Sequence, residues 1–179
     1  MAFSSLAEID AYMKTNKCEF WEAVIREEAR DSQQPEMDIV NRMTQMYRSM
    51  KEADEAYDDS LTSRSGLSGK NGKKMADYAA THKCMCGKFG GAVMARAIKM
   101  AESNACMKRI VAAPTAGSCG VVPAILITYE RMTNTSENDM VKALFVAAGI
   151  GDVIARRASI SGARGGCQAE IGASSAMAA

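Results

Sequence analysis

Cys167 is the residue whose surroundings most suggest chemistry. It stands in Gly165-Gly166-Cys167-Gln168-Ala169-Glu170-Ile171-Gly172, at the end of a glycine-rich stretch that begins at Ser161. Behind it runs Ala173-Ser174-Ser175-Ala176-Met177-Ala178-Ala179, small residues suited to a tightly packed helix. A helix N-terminus favours a thiolate, and a thiolate is either a nucleophile or a metal ligand. A nucleophile needs a neighbouring base, and neither Gln168 nor Glu170 is an effective partner for a thiol. As a ligand, Cys167 needs companions, because iron–sulfur clusters are held by several thiolates. The other five cysteines, at positions 18, 84, 86, 106 and 119, follow no ferredoxin-like spacing. Cys167 therefore reads as one ligand of an incomplete set.

A second candidate is Ile110-Val111-Ala112-Ala113-Pro114-Thr115-Ala116-Gly117-Ser118-Cys119-Gly120-Val121-Val122-Pro123. A short apolar run enters a turn of Thr, Gly and Ser, and Pro123 falls in the first turn of the helix that follows. Backbone amides around Gly117 to Gly120, with the hydroxyls of Thr115 and Ser118, would converge near a helix N-terminus, an arrangement suited to a carboxylate or phosphate. The plainer alternative is an ordinary capped turn. A third stretch, residues 61–74, gathers four hydroxyls, three glycines and four cations. It is either a mobile linker or an anion-binding loop, since glycine lets backbone amides converge on a negative group. It is not a P-loop: its glycine spacing differs and no strand precedes it.

His82-Lys83-Cys84-Met85-Cys86 invites a metal reading, but it lacks the second cysteine pair of a structural zinc site, and packing cysteines at a helix junction are the better account. His82 is the single histidine, so a histidine base supplied by this chain must be His82.

These residues need a scaffold, and the composition says which kind. Hydrophobic residues make up 47% of 179 residues and aromatics only 6%, with 14 methionines. That favours closely packed helices over a sheet of β-branched and aromatic residues. The formal net charge of +1, from 22 basic and 21 acidic residues, gives no bulk electrostatic case for nucleic acid or an anionic membrane surface. No apolar run approaches the ~20 residues that span a bilayer, and the N-terminus lacks a signal-peptide layout, so a cytoplasmic location is expected.

Ser5 with Glu8 forms a capping-box pattern for a helix to about Thr15. A second helix is expected over about 19–29. Pro35 is expected in the first turn of a long helix to Asp58, with Val40, Met43, Tyr47, Met50 and Tyr57 on its apolar stripe. Residues 74–108 are helical apart from the His82–Cys86 interruption. Further helices are expected over 124–131 and from Ser136 to Ala147, with Gly149-Ile150-Gly151-Asp152 kinking the last or starting another that ends near Ala158. A glycine loop, 161–166, closes the series. The fold class is all-α, a multi-helix domain with Gly-rich connections, expected to be incomplete at its C-terminus.

Taken together, Ser65-Gly66-Leu67-Ser68-Gly69 with Gly72-Lys73-Lys74, Glu102-Ser103-Asn104-Ala105, the Val111–Ala124 stretch and Gly166-Cys167-Gln168-Ala169-Glu170-Ile171-Gly172 resemble the α chain of iron–sulfur-dependent L-serine dehydratase, in its order and approximate spacing. The resemblance covers about residues 20–179 and identifies residues 1–179 as the N-terminal part of the catalytic α domain. It implies an all-α domain holding a 4Fe–4S cluster through three cysteines, with Cys167 as the first. The other two belong to a Cys-Asp-Pro-Val-type segment and a Pro-Cys pair that this sequence does not contain, and Ser175 stands where many members carry cysteine. The activity implied is elimination of water from L-serine to give pyruvate and ammonia, with an open iron as the Lewis acid and no pyridoxal phosphate. Ser65, Gly66, Thr115, Gly117 and Ser118 are the candidates for holding the substrate carboxylate, and His82 is a candidate base. The resemblance also implies a β-chain partner and an oligomer. On these grounds the chain alone is expected to be inactive. Two other readings remain: an L-cysteine desulfidase of the related family, and a truncated, non-catalytic helical subunit.

Overall fold

The computed structural model describes residues 3–81 and 83–179. Among the described residues there are eight helices and no strand: α1 (Leu6–Asn16), α2 (Phe20–Ser32), α3 (Glu36–Glu55), α4 (Asn71–Ala80), α5 (Gly87–Ala105), α6 (Val121–Thr133), α7 (Glu137–Arg157) and α8 (Gly162–Ala178). The all-α expectation holds.

Local chemistry explains most of the helix starts. Ser5 caps α1 by accepting a bond from the Glu8 amide at 3.2 Å. The returning arm of the expected capping box lands one residue early, where the Glu8 carboxylate takes the amide and hydroxyl of Ser4, both at 2.7 Å. Glu19 and Glu22 form the equivalent box for α2. Ser136 caps α7 through the Asp139 amide. Pro35 is the residue before α3 and not part of its first turn, its ψ of 142° being extended. That helix also stops short of Tyr57, which leaves the apolar stripe to bond elsewhere.

Helix α7 is the spine, packing against α2, α3, α6 and α8, while α5 lies between α4 and α6. Tyr47, Met50, Met100, Val122, Ile127, Leu144 and Phe145 form the main core. Burying each of the larger apolar side chains contributes about 1.5–3 kcal/mol. A smaller cluster of Ile9, Ala23 and Val153 seats the N-terminal helices. One polar tie runs through the interior: Arg96 Nε donates to both Asp54 oxygens at 2.8 and 2.9 Å, and its Nη1 donates to Thr128 at 2.7 Å, linking α3, α5 and α6.

Two glycine expectations are corrected. Gly149 and Gly151 neither kink α7 nor start a new helix. A methyl group at Gly149 would fall 2.6 Å from Val24 and 2.9 Å from Phe20, and one at Gly151 would fall 2.8 Å from Met177. They are small because neighbouring helices press on them. Likewise the expected 161–166 loop is mostly a helical turn, broken only at Gly166, whose φ of 76° and ψ of 170° interrupt α8.

Candidate functional site

The Thr115 turn is entered through a cis Ala113–Pro114 peptide bond and delivers the chain into α6. It is held from behind by α5. A methyl group at Gly120 would lie 2.5 Å from the backbone oxygen of Ala97, so only glycine allows the end of the turn this close to α5. The side-chain amide of Asn104 donates to Ala116 O at 3.0 Å and fixes the crown of the turn.

Inside the turn, Thr115 Oγ1 and Ser118 Oγ are 2.9 Å apart, and the Ser118 amide donates to Thr115 Oγ1 at 3.3 Å. The Thr115 hydroxyl donates to Glu170 on α8. That carboxylate lies directly against two glycines, since a methyl group at Gly117 or at Gly162 would fall 2.6 or 2.8 Å from its oxygens. Thr115, Gly117 and Ser118 are thus brought together, and Glu170 joins them. The amides of Ala116 and Gly117 have no hydrogen-bond partner among the described residues, and both residues are exposed. Cys167 is exposed and stands just after the Gly166 break, at the start of the second helical part of α8 and one turn before Glu170.

Ser65 and Gly66 occupy a different loop. It closes on itself, with the Ser63 amide donating to Ser68 O at 2.8 Å, the Gly66 amide to Ser63 O at 2.8 Å, and the hydroxyls of Ser63 and Ser65 3.2 Å apart. No hydrogen bond among the described residues joins this loop to the Thr115 turn. Their common support is the C-terminal end of α5. There Glu102, which is buried, accepts the amides of Asn71 at 2.7 Å and Gly72 at 3.0 Å and the Tyr57 hydroxyl at 2.8 Å. Burial opposes the charge on Glu102, but the bonds from Gly72, Tyr57 and Asn71 outweigh it and hold its carboxyl below the ordinary range. The same contact pushes the Tyr57 hydroxyl up to about 12, through burial first and the Glu102 bond second.

Glu102, Asn104 and Glu170 were not among the sequence-based candidates. Signals existed for two of them: Glu102 is a carboxylate in a helix of mostly small residues, and Glu170 follows Cys167 by three positions. His82 lies outside the described residues. Of the remaining cysteines, Cys119 is fully buried with its thiol toward Met100 O at 3.9 Å, and the Cys84 sulfur packs against Gly91. Among the described residues no group of three or more His, Cys, Asp or Glu side chains could hold a metal ion. No helix among the described residues is long and apolar enough to cross a membrane.

The family model described as serine dehydratase alpha chain matches residues 15–179. The chain belongs to the serine dehydratase alpha chain family. Among its relatives, a probable L-serine dehydratase alpha chain of Bacillus subtilis is 34% identical over 177 residues, covering 99% of this chain and 59% of that protein. An L-serine dehydratase alpha chain of Peptoniphilus asaccharolyticus is 44% identical over 107 residues, 60% of this chain and 37% of the relative. L-serine dehydratase 1 of Escherichia coli is 45% identical over 84 residues, 46% of this chain and 18% of the relative. This serine dehydratase alpha chain homologue thus spans under two thirds of the length of these relatives. No solved structure matches it.

Proposed function

We propose that this chain is the substrate-binding portion of an L-serine dehydratase alpha chain, acting in the elimination of water from L-serine to give pyruvate and ammonia. The observation that carries the reading is the seating of Glu170, one turn beyond Cys167, on the Thr115–Ser118 turn, which joins the two most family-specific motifs in one place. In this reading the unpartnered amides of Ala116 and Gly117 and the Thr115–Ser118 turn receive the substrate, with Ser65 and Gly66 contributing to the carboxylate cradle. Cys167 is one thiolate ligand of a 4Fe–4S cluster whose other thiolates this chain does not supply. A β chain, an oligomeric assembly and a cytoplasmic setting complete the proposal.

The test is product analysis of the full-length α chain, assembled anaerobically with its β chain. Pyruvate from L-serine is expected; sulfide from L-cysteine in its place would support the desulfidase reading and sink this one. The 179 residues alone are expected to form no pyruvate, because Cys167 is their one residue assigned to the cluster. Cys167→Ser, an exposed substitution, should leave helicity and melting temperature unchanged and strip the iron from the full-length protein. Unchanged iron content would refute the ligand assignment.

A further inference from the structure

We propose that Glu170 binds the α-ammonium group of the amino-acid substrate; the proposal rests on the dehydratase reading and adds a recognition residue to it. The argument follows the protons. An ionised carboxylate accepts hydrogen bonds and cannot donate, so the Thr115 hydroxyl must spend its only proton on Glu170. Thr115 Oγ1 is then left as an acceptor for the Ser118 amide, and the hydroxyl of Ser118 has two acceptors within the turn, Thr115 Oγ1 at 2.9 Å and the backbone oxygen of Thr115 at 3.5 Å. The Thr115 proton runs to Glu170 and the Ser118 proton to an oxygen of Thr115. Neither is free to greet an anion, and the polar end of this run of hydrogen bonds is a carboxylate.

That carboxylate is short of partners. Glu170 is half-buried, its carboxylate packed on Gly117 and Gly162, where an added methyl group would lie 2.6 and 2.8 Å from its oxygens. Among the described residues Thr115 is its one hydrogen-bond donor, and no cation lies within ion-pair distance of it. A partly desolvated negative charge with one donor is stabilised by a ligand that brings positive N–H groups. An ammonium group has three such donors and no acceptor, which is the complement of this site. The ligand's carboxylate finds the unpartnered amides of Ala116 and Gly117 in the same turn. Cys167 lies at the i, i+3 spacing from Glu170, on the same side of the helix, so the amino group is seated beside the position where the chemistry is proposed. The class of ligand selected is the α-amino acid, against 2-hydroxy acids of the same shape.

L-Alanine and L-lactate test this directly, because they differ in an ammonium group against a hydroxyl. Binding is measured by titration calorimetry on the full-length protein with its β chain. L-Alanine should bind at least about tenfold more tightly than L-lactate, the size of one hydrogen bond to a charged group. In Glu170→Gln the ratio should fall below about threefold through weaker L-alanine binding, with L-lactate unchanged. Should Glu170→Gln fail to fold, Glu170→Asp answers the same question, its shorter side chain weakening L-alanine alone. Equal binding of the two ligands by the wild type, or a ratio preserved in a folded variant, overturns the proposal and leaves Glu170 as a clasp between α8 and the turn. Because the readout is binding, discrimination without pyruvate formation would sink the dehydratase reading while leaving the ammonium site standing.

Discussion

Replacing Glu102 should cost stability in a pattern that its hydrogen bonds dictate. Oε2 accepts from the buried Gly72 amide and from the Tyr57 hydroxyl, while Oε1 accepts from the exposed Asn71 amide. In Glu102→Gln the single oxygen can take the Oε2 position and keep two of the three donors. The new NH2 then faces Asn71, whose amide can turn to water. The loss is one opposed donor plus the weakening of two charge-assisted bonds to neutral ones, about 2 kcal/mol. Glu102→Ala leaves the Gly72 amide buried without a partner and opens a space, for about 4 kcal/mol. The assay is urea unfolding followed by far-ultraviolet circular dichroism, at about pH 7 and again at about pH 3. The sign with pH follows from the depressed carboxyl: its contribution is complete above the unfolded glutamate value of roughly 4.3 and is lost as pH falls through the lower folded value. The gap between wild type and Glu102→Gln should therefore narrow in acid. A gap below about 0.5 kcal/mol at neutral pH, or one that widens in acid, would refute the reasoning.

Two more outcomes test the packing and the surface. Gly120→Ala should lose about 1–3 kcal/mol, because the added methyl meets rigid backbone of Ala97, whereas Gly172→Ala meets nothing within 4 Å and should melt at or slightly above the wild-type temperature. If the two variants melt together, the close contact between α5 and the turn is wrong. Glu137 is held down to about 2 by its bonds to Arg48 first and Lys51 second. It is partly exposed, so Glu137→Gln should cost only about 1 kcal/mol at neutral pH after solvent screening. That cost should be complete above the unfolded glutamate value of roughly 4.3, decline as pH falls from there to the folded value of about 2, and shrink in raised salt; a gap insensitive to both would contradict the pairing.

The sequence showed most of the helices because their starts are local events. Ser5 and Ser136 cap the helices that their side-chain chemistry announces. It misjudged Gly149 and Gly151 because glycine in isolation signals a bend, while here the reason lies on Phe20 and Val24 for the first and on Met177 for the second, distant in sequence. The same division runs through the site. Thr115, Gly117 and Ser118 share one turn, so their residue types sufficed to group them. Glu170 reaches that turn from 55 residues away, and its bond to Thr115 exists only once α8 lies beside α6. Pairings of this kind leave no periodicity to read. The capacity of the Thr115 turn for a ligand was legible; the proton direction, set by the distant carboxylate, was not.

The end of α5 has a consequence for how this scaffold can change over generations. Glu102 holds the start of α4 and Asn104 holds the Thr115 turn, with one residue between them. Along an α-helix that interval is ~3 Å of rise and ~200° of rotation, so the two side chains depart from nearly opposite flanks. Their separation acts as a gauge. A residue gained or lost in the loops on either side can be absorbed locally, but one gained or lost between Glu102 and Asn104 would swing one anchor by ~100° while leaving the other in place. Length variation should therefore accumulate around residues 58–70 and 107–112 and be excluded from this short interval, which sets the relative placement of two loops that share no hydrogen bond among the described residues.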